Sequence, residues 1–150
     1  MTGRYYEEFN VGDKIITPGK TVTDTAITLT VGLSGFTEGF FNDEEYAKKT
    51  VFGGRIAPGR MTLMLMGALC EQAGVWEDTV IALLRINNVK ITAPLRAGDT
   101  ITVEMEIIDK RETKKGDRGL IVHKETCKNQ RDEIIAECEV THLVKRKQPV

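Results

Sequence analysis

The sequence predicts an α+β domain in which a curved antiparallel sheet surrounds one long buried helix. Residues 60–73 carry apolar side chains around nearly the whole circumference of a helix, and Gly74 follows as a stop signal. The C-terminal half contains four strand-like runs rich in β-branched residues. The chain has 150 residues, of which 41% are hydrophobic and 29% charged, so residues 1–150 are expected to form one globular domain.

The four strands are predicted at residues 80–91, 100–108, 119–127 and 133–144. In the second run Ile101, Val103 and Met105 alternate with polar residues, as in a half-buried antiparallel strand. Turn residues at 114–119 and 129–132 separate the last three runs. A helix that is apolar on all sides must be buried on most of them, so the strands are expected to wrap it. The open edges of such a sheet are commonly closed by pairing, which predicts at least a dimer.

Two shorter helices are predicted in the N-terminal half. Thr23 or Asp24 can cap the first, which runs to about Gly32, and Asn42 or Asp43 can cap the second. The second helix has acidic residues in its first turn and lysines in its last, which suits the helix dipole: Glu44, Glu45, Lys48 and Lys49. Residues 145–150 are expected to be a frayed end.

Composition excludes several classes of function. The net charge is -1 and no basic stripe is present, so nucleic acid is not an expected partner. The N-terminus lacks the features of a signal peptide, and the longest apolar stretch is shorter than the roughly 20 residues that span a bilayer. A cytoplasmic protein without a membrane partner is predicted. The three cysteines have no C-x-x-C spacing, so they are expected to be buried apolar residues and not metal ligands or disulfides.

Several short motifs resemble the MaoC-like dehydratase family, which includes the (R)-specific enoyl-CoA hydratases. They lie at residues 22–23 (Val-Thr), 33–35 (Leu-Ser-Gly), 43–47 (Asp-Glu-Glu-Tyr-Ala), 52–59 (Phe-Gly-Gly-Arg-Ile-Ala-Pro-Gly) and 93–100 (Ala-Pro-Leu-x-Ala-Gly-Asp-Thr). The resemblance runs from about Phe9 to Val144 and implies the hot-dog fold. It also implies an acyl-CoA or acyl-carrier thioester as substrate or ligand, no other cofactor and no metal, and a homodimer or higher homo-oligomer.

The sequence departs from this family where the chemistry is expected. After Leu-Ser-Gly the family usually reads Asp-x-Asn-Pro-Leu/Ile-His-x-Asp, and its Asp and His activate the water that adds to the enoyl double bond. Here Phe36 stands in place of that Asp, Phe41 in place of the His and Glu38 in place of the Asn. A second family His corresponds to Pro58, and a Ser of the long helix to Gly67. Phenylalanine neither accepts nor donates a proton, so hydration by the usual mechanism is not expected.

Part of the family's binding apparatus is retained. Gly59 opens the long helix, and in the family the corresponding N–H holds the thioester carbonyl as an oxyanion hole; alternatively Gly53, Gly54 and Gly59 simply form a tight turn. The predicted substrate-binding residues surround this turn: Gly59, Phe36, Phe40, Phe41, Arg55 and Pro58. Arg55 either braces the turn or meets a CoA phosphate.

Other carboxylates could replace the missing dyad. Glu38 and Asp43 are the candidate catalytic residues, because a carboxylate among Phe36, Phe40 and Phe41 would have a raised pKa. The alternatives are a solvated loop position for Glu38 and a helix cap for Asp43. Glu71 near the end of the long helix is a further candidate, since a carboxylate on or near that helix serves other hot-dog proteins as thioesterases. His123 and His142 are interpreted as structural or surface residues.

Three functions therefore stay open from the sequence. The first is a hydratase or dehydratase, a lyase of fatty acid metabolism, with relocated catalytic groups. The second is a thioesterase that uses Glu38 or Glu71. The third is a non-catalytic module that binds a thioester or pairs with an active paralogue.

Overall fold

The computed structural model describes residues 3–147 and contains one antiparallel sheet with four α-helices. A 3₁₀ turn at Tyr6–Glu8 precedes the first strands. The helices are α1 (Asp24–Ser34), α2 (Gly39–Asn42), α3 (Glu44–Ala47) and α4 (Gly59–Gln72). The strands are β1 (Lys14–Ile16), β2 (Lys20–Thr21), β3 (Val80–Ile91), β4 (Thr100–Glu112), β5 (Arg118–Lys128) and β6 (Ile134–Lys145).

The sheet has the strand order β1-β4-β5-β6-β3, and β2 also pairs with β4. The four long strands are those predicted, and the α+β class is confirmed. The alternation in β4 is confirmed too, because Ile101, Val103, Met105 and Ile107 are at most 1% exposed. The sequence did not predict β1 and β2, which have three and two residues and cover the outer edge of β4.

Helix α4 packs against the concave face of the sheet, but it is not buried all round. Met61, Met66 and Leu69 belong to the core, whereas Met64 is 55% exposed and Arg60 is exposed as well. Most of the circumference is buried, as predicted, and exposed residues form one stripe along the helix: Arg60, Met64, Ala68 and Glu71.

Strand β3 forms one end of the sheet and pairs within residues 3–147 with β6 alone. Its large apolar side chains are all at least 37% exposed: Val80, Ile81, Leu83, Leu84, Ile86, Val89 and Ile91. A long apolar strand with an unpaired edge is a template on which another strand can pair. The other end of the sheet, at β1, has only three residues.

The N-terminal helices begin where the sequence predicted. The Thr23 side chain accepts a hydrogen bond from the Ala26 N–H and caps α1, and Asp43 caps α3 by accepting from the Tyr46 N–H. Helix α3 ends at Ala47, so the two lysines predicted for its last turn follow it instead.

The chain end is better ordered than predicted. Lys145 belongs to β6, and its N–H donates to the carbonyl of Thr79. The Arg146 guanidinium lies 2.7 Å from a Glu7 carboxylate oxygen and 3.4 Å from one of Glu112. The predicted frayed end is therefore wrong for residues 145–147, while residues 148–150 lie outside the described part of the chain. Within that part, no helix is both long and apolar enough to cross a membrane.

Candidate functional site

A cavity of about 360 Å³ lies beside the N-terminus of α4, and we call it the first cavity. It is enclosed by the α1–α4 connection, the start of α4, the end of β3 and the segment after β3. Its lining is mostly apolar: Phe40, Phe41, Phe52, Ile56, Ala57, Gly59, Thr62, Ile91, Thr92, Ala93, Pro94 and Leu95. Among the described residues of this lining, only Thr62 and Thr92 carry polar side chains, and none is ionisable.

Unpaired backbone donors mark the start of α4. Pro58 is the N-cap residue, and its carbonyl accepts from Met61 N at 2.9 Å and Thr62 N at 3.2 Å. The N–H groups of Gly59 and Arg60 have no acceptor within residues 3–147. A helix N-terminus carries a partial positive charge, so an acceptor oxygen in the first cavity would be favoured beside Gly59. Pro58 itself is buried and contributes its carbonyl to the first turn of the helix, outside the cavity lining.

Phe36 and Phe41, the two positions that the resemblance led us to compare with the family dyad, are packed rings. The centroids of Phe36 and Phe41 lie 5.7 Å apart in an edge-on contact, and Phe40 packs against Phe41 at 4.7 Å. Phe40 also contacts Phe52 at 5.5 Å. Phe36 and Phe41 both pack against the core, and Phe40 and Phe41 line the first cavity. Phe36 reaches the cavity through Phe41 and is not part of its lining.

Neither candidate catalytic carboxylate lines the first cavity. Glu38 is exposed at the N-cap of α2 and makes no capping hydrogen bond, so its side chain is not sequestered among the phenylalanines. Asp43 is exposed and accepts from Tyr46 N at 2.9 Å as a helix cap. Thr62, a buried hydroxyl residue of the cavity lining, was not predicted from the sequence. Its spacing of three residues from Gly59, on the same face of the helix, was the available signal.

Arg55 braces the turn that leads into α4. Its Nη2 lies 2.7 Å from Asp24 Oδ1, and its Nε lies 3.2 Å from Glu44 Oε2. The Arg55 N–H also donates to Glu44 Oε2. The guanidinium thus joins α1 and α3 to the turn, which is one of the two roles predicted for it, and the side chain does not line the first cavity.

A smaller cavity of about 110 Å³ lies further along α4, and we call it the second cavity. It is lined by Leu63, Gly67, Cys70 and Glu71 of α4, by Trp76 of the connection after α4, by Leu83 and Ile86 of β3, by Glu125 of β5, and by Cys138, Val140 and His142 of β6. Glu71 is exposed at its rim. Twelve residues separate Glu71 from Gly59, or about 18 Å along the helix. The thioesterase candidate and the helix N-terminus therefore belong to different cavities.

Ionisable side chains form the floor of the second cavity. Glu125 is 3% exposed and its Oε1 lies 3.0 Å from Nε2 of His123, which is fully buried. The Cys138 thiol donates to Glu125 Oε2 at 3.6 Å. Trp76 Nε1, His123 Nδ1 and His142 Nδ1 are buried and have no partner among the described residues. Burial, with a smaller effect of His123, lowers the pKa of His142 to about 4, so this imidazole is neutral at pH 7.

The two histidines were interpreted from the sequence as structural or surface residues, whereas Glu125 was not predicted. Strand β5 alternates between buried and half-buried residues throughout, so His123 and Glu125 share the inward face with Ile121 and Cys127. There is little signal for this in the sequence, because both faces of the strand mix apolar and polar residues. His123 is a core residue, as one of the two predicted interpretations had it.

The three cysteines are buried and unpaired. Burial raises the pKa of Cys127 and Cys138 to about 12, with a further contribution from Glu125, and raises that of Cys70 further still. The prediction that they are buried apolar residues is confirmed. Within residues 3–147, no three His, Cys, Asp or Glu side chains are arranged to hold a metal ion.

Sequence comparison places the chain among proteins of one family. A MaoC like domain matches residues 10–129. The chain is 33% identical to protein MaoC of Klebsiella aerogenes over 116 residues, which is 77% of this chain and 33% of that protein. It therefore spans about a third of that relative's length. It is also 31% identical to an (R)-specific enoyl-CoA hydratase of Rhodospirillum rubrum over 103 residues, 69% of each chain.

Solved structures agree with this assignment. A monoamine oxidase regulatory protein from Archaeoglobus fulgius has a TM-score of 0.90 and 29% identity, with 99% of this chain and 98% of that chain covered. A MaoC-like dehydratase from Rhodospirillum rubrum has a TM-score of 0.87 and 25% identity, with 97% and 99% covered. A double hot-dog protein of Mycobacterium tuberculosis shares the fold, with a TM-score of 0.82, 19% identity, and 99% and 46% covered. The chain thus belongs to the MaoC-like dehydratase family and has the hot-dog fold.

Proposed function

We propose that this chain binds an acyl-CoA or acyl-carrier thioester in the first cavity, with the thioester carbonyl on the Gly59 N–H. The observation that carries the proposal is an unpaired N–H at the positive end of α4, beside an apolar cavity. Family membership supports the choice of ligand, because one relative is an (R)-specific enoyl-CoA hydratase. Apart from the thioester, the proposed site needs no cofactor or metal.

The proposed role is binding without hydration by the family's dyad. Hydration requires a base that takes a proton from water and an acid that protonates the α-carbon. The side chains at the dyad positions are Phe36 and Phe41, and no ionisable side chain within residues 3–147 lines the first cavity. Glu38 and Asp43 could take part only after a movement that brings them inward. Hydrolysis through Glu71 would require the thioester to lie in the second cavity, away from Gly59.

We also propose that the protein is a homodimer joined through β3. The support is the unpaired edge of this strand and the row of exposed apolar side chains along it. Antiparallel pairing of β3 with the same strand of a second copy would satisfy its free backbone groups and cover those side chains. The second and first cavities both border β3, so this pairing would also enclose them.

A matched pair of variants at Gly59 tests the binding site. Gly59→Pro removes the N–H, and proline is tolerated at the first position of a helix. The preceding Pro58 has a ψ of 138°, which suits a residue before proline. Gly59→Ala keeps the N–H and adds a Cβ that would meet the Ile91 side chain at 3.4 Å, as the proline ring would.

Calorimetry with butanoyl-, crotonyl- and benzoyl-CoA provides the measurement. We expect Gly59→Pro to weaken binding by roughly two- to tenfold beyond Gly59→Ala, since one hydrogen bond is lost. If the two variants bind acyl-CoA equally well, the Gly59 N–H does not hold the ligand. If neither acyl-CoAs nor acyl-carrier proteins bind the parent protein, the proposed ligand class is wrong.

Turnover assays separate binding from the two catalytic alternatives. We expect neither loss of the enoyl absorbance of crotonyl-CoA nor release of free CoA thiol above the uncatalysed rates. Hydrolysis that Glu38→Gln or Glu71→Gln abolishes would replace the proposal with a thioesterase. Hydration of crotonyl-CoA by the parent protein would show that it has the activity of its hydratase relative.

A further inference from the structure

The two cavities follow one another along the groove between α4 and β3. The first is bordered by Gly59 and Thr62 at the start of α4 and by Ile91 at the end of β3. The second is bordered by later turns of the helix and by Leu83 and Ile86, earlier in the strand. Gly59 and Gly67 are eight residues apart, or about 12 Å along the helix axis. A ligand whose carbonyl is held at Gly59 would extend toward the second cavity if it follows this groove.

The second cavity differs from an ordinary apolar pocket because its lining includes polar and ionisable side chains. Trp76 is 3% exposed, and its indole N–H has no acceptor among the described residues. His142 Nδ1 is also buried without a partner, and both side chains belong to the lining. The Glu125 carboxylate is part of the lining too, although His123 and Cys138 contact its two oxygens.

Unpaired polar groups at this depth require a partner. Leaving a buried donor unsatisfied costs roughly 1–3 kcal/mol, and more than about nine in ten buried polar groups in proteins have a partner. The neighbouring inward positions of β5 carry Ile121 and Cys127. The fold therefore does not need ionisable side chains at the positions of His123 and Glu125. Trp76, His142 and Glu125 all line the second cavity, whose volume of about 110 Å³ can hold a small polar group.

We propose that the second cavity recognises the far end of the acyl group and selects an uncharged oxygen there, in particular a hydroxyl. This inference rests on the proposed function, since it presupposes a thioester held at Gly59. A hydroxyl oxygen can accept from the Trp76 indole N–H, and its proton can be donated to His142 Nδ1 or to Glu125. A terminal carboxylate is disfavoured beside the Glu125 carboxylate, and a methyl end leaves the indole N–H unpaired.

The test compares straight-chain acyl-CoAs from butanoyl to decanoyl with their ω-hydroxy counterparts. Calorimetry on the parent protein should reveal a chain length at which the hydroxyl-ended ligand binds roughly two- to tenfold more tightly than the methyl-ended ligand. At the same length, the ω-carboxyl ligand should bind more weakly than the hydroxyl-ended one. The methyl-ended series serves as an internal control for the depth of the groove.

Two variants test whether a preference for hydroxyl-ended ligands arises in the second cavity. Trp76→Phe deletes the indole N–H and keeps a ring that can stack on Phe9, which Trp76 contacts at a centroid distance of 5.1 Å. His142→Phe removes Nδ1 at a less buried position, and it provides a second measurement if the first variant does not fold. Each variant should reduce the hydroxyl preference, the ratio of hydroxyl-ended to methyl-ended binding in the same variant, to less than half of its parent value.

The outcomes separate this inference from the proposed function. If methyl-ended acyl-CoAs bind but the ω-hydroxyl gives no gain at any length, the inference is overturned and the proposed function stands. A hydroxyl preference that survives in both folded variants would also overturn it. If no acyl-CoA of either series binds, both the inference and the proposed function fail.

Discussion

The two cavities along α4 use different parts of the chain for polar contacts. The first offers a backbone N–H at Gly59, within walls that carry no ionisable side chain in the described structure. The second offers side chains, with a buried Glu125 and His123 pair behind it and His142 at its edge. The described lining of the first cavity therefore offers a backbone donor but no acid–base side chain. A backbone donor persists when side chains change.

The largest effect is expected from changing the first cavity into a site with acid–base groups. Phe36→Asp combined with Phe41→His would place a carboxylate and an imidazole where two contacting rings now lie 5.7 Å apart. General acid–base help contributes on the order of 10²- to 10⁴-fold in rate, so crotonyl-CoA hydration should rise by roughly 10²-fold above the parent. Loss of the enoyl absorbance reports the rate.

The control for this experiment is Phe36→Asn with Phe41→Gln, which has similar polarity but no general base. It should remain at the rate of the parent protein. A folded Asp and His variant that binds crotonyl-CoA and does not hydrate it would show that the cavity differs from the family's in more than two residues.

The second cavity should make stability depend on pH. The pKa of His142 is lowered from 6.5 to about 4 in the folded protein, mainly by burial. As the pH falls through this window, the unfolded chain takes up a proton that the folded chain does not bind. The free energy of unfolding should therefore fall between about pH 6.5 and pH 4, by at most about 3 kcal/mol from this group, and the contribution should be constant above that range.

Urea denaturation at several pH values measures this dependence. The difference in stability between the parent protein and His142→Gln should shrink or reverse across the same window, because the variant lacks the titrating group. A difference that stays constant with pH would mean that His142 titrates near its ordinary value in the folded state. The first cavity contributes no comparable term, since its lining does not titrate.

The edge strand beside both cavities offers a third test. Leu83→Asp places a charge on β3 at a side chain that is 55% exposed in the single chain. If β3 joins two copies, this change should weaken the dimer by roughly thirtyfold or more, as buried interface positions do. Val11→Asp, before the short strand at the opposite end of the sheet, is the matched control and should leave the dimer intact. Light scattering that shows a monomeric parent protein would contradict the proposed assembly.

The smallest effect is expected at the turn that leads to the first cavity. Arg55→Ala removes ion pairs to Asp24 and Glu44, whose side chains are well exposed, so the free energy of unfolding should fall by only about 0.5–1 kcal/mol. Binding of acyl-CoA should stay within about twofold of the parent, because the guanidinium is already engaged. A loss confined to acyl-CoA, with acyl-pantetheine unaffected, would instead indicate that Arg55 contacts a CoA phosphate.

The sequence predicted the long strands well because they are rich in β-branched residues, and along β4 burial also alternates over the predicted range. It placed the end of β4 too early for a local reason: the register shifts between Ile107 and Asp109, and polar residues then continue the pairing to Glu112. This irregularity breaks the period of two on which the prediction depended. Strands β1 and β2 are too short to show any period.

The candidate site was only partly predictable. Of the residues predicted to bind substrate, Gly59, Phe40 and Phe41 line one cavity, whereas Phe36, Arg55 and Pro58 do not. Proximity in sequence does not fix the direction of a side chain, which is why Glu38 lies outside although its neighbours lie inside. The second cavity brings together residues of α4, β3, β5 and β6, so its membership depends on tertiary packing that no local pattern specifies.

The three buried thiols can report transient local opening of the folded protein. The thiolate is the reactive form, and with pKa values of about 12 Cys127 and Cys138 are almost entirely protonated at neutral pH. A thiol reagent can therefore modify them rapidly only when the β5–β6 region separates from α4. The labelling rate in native buffer then reports the frequency of that separation, and its slowing by an acyl-CoA would measure ligand protection without any added fluorophore.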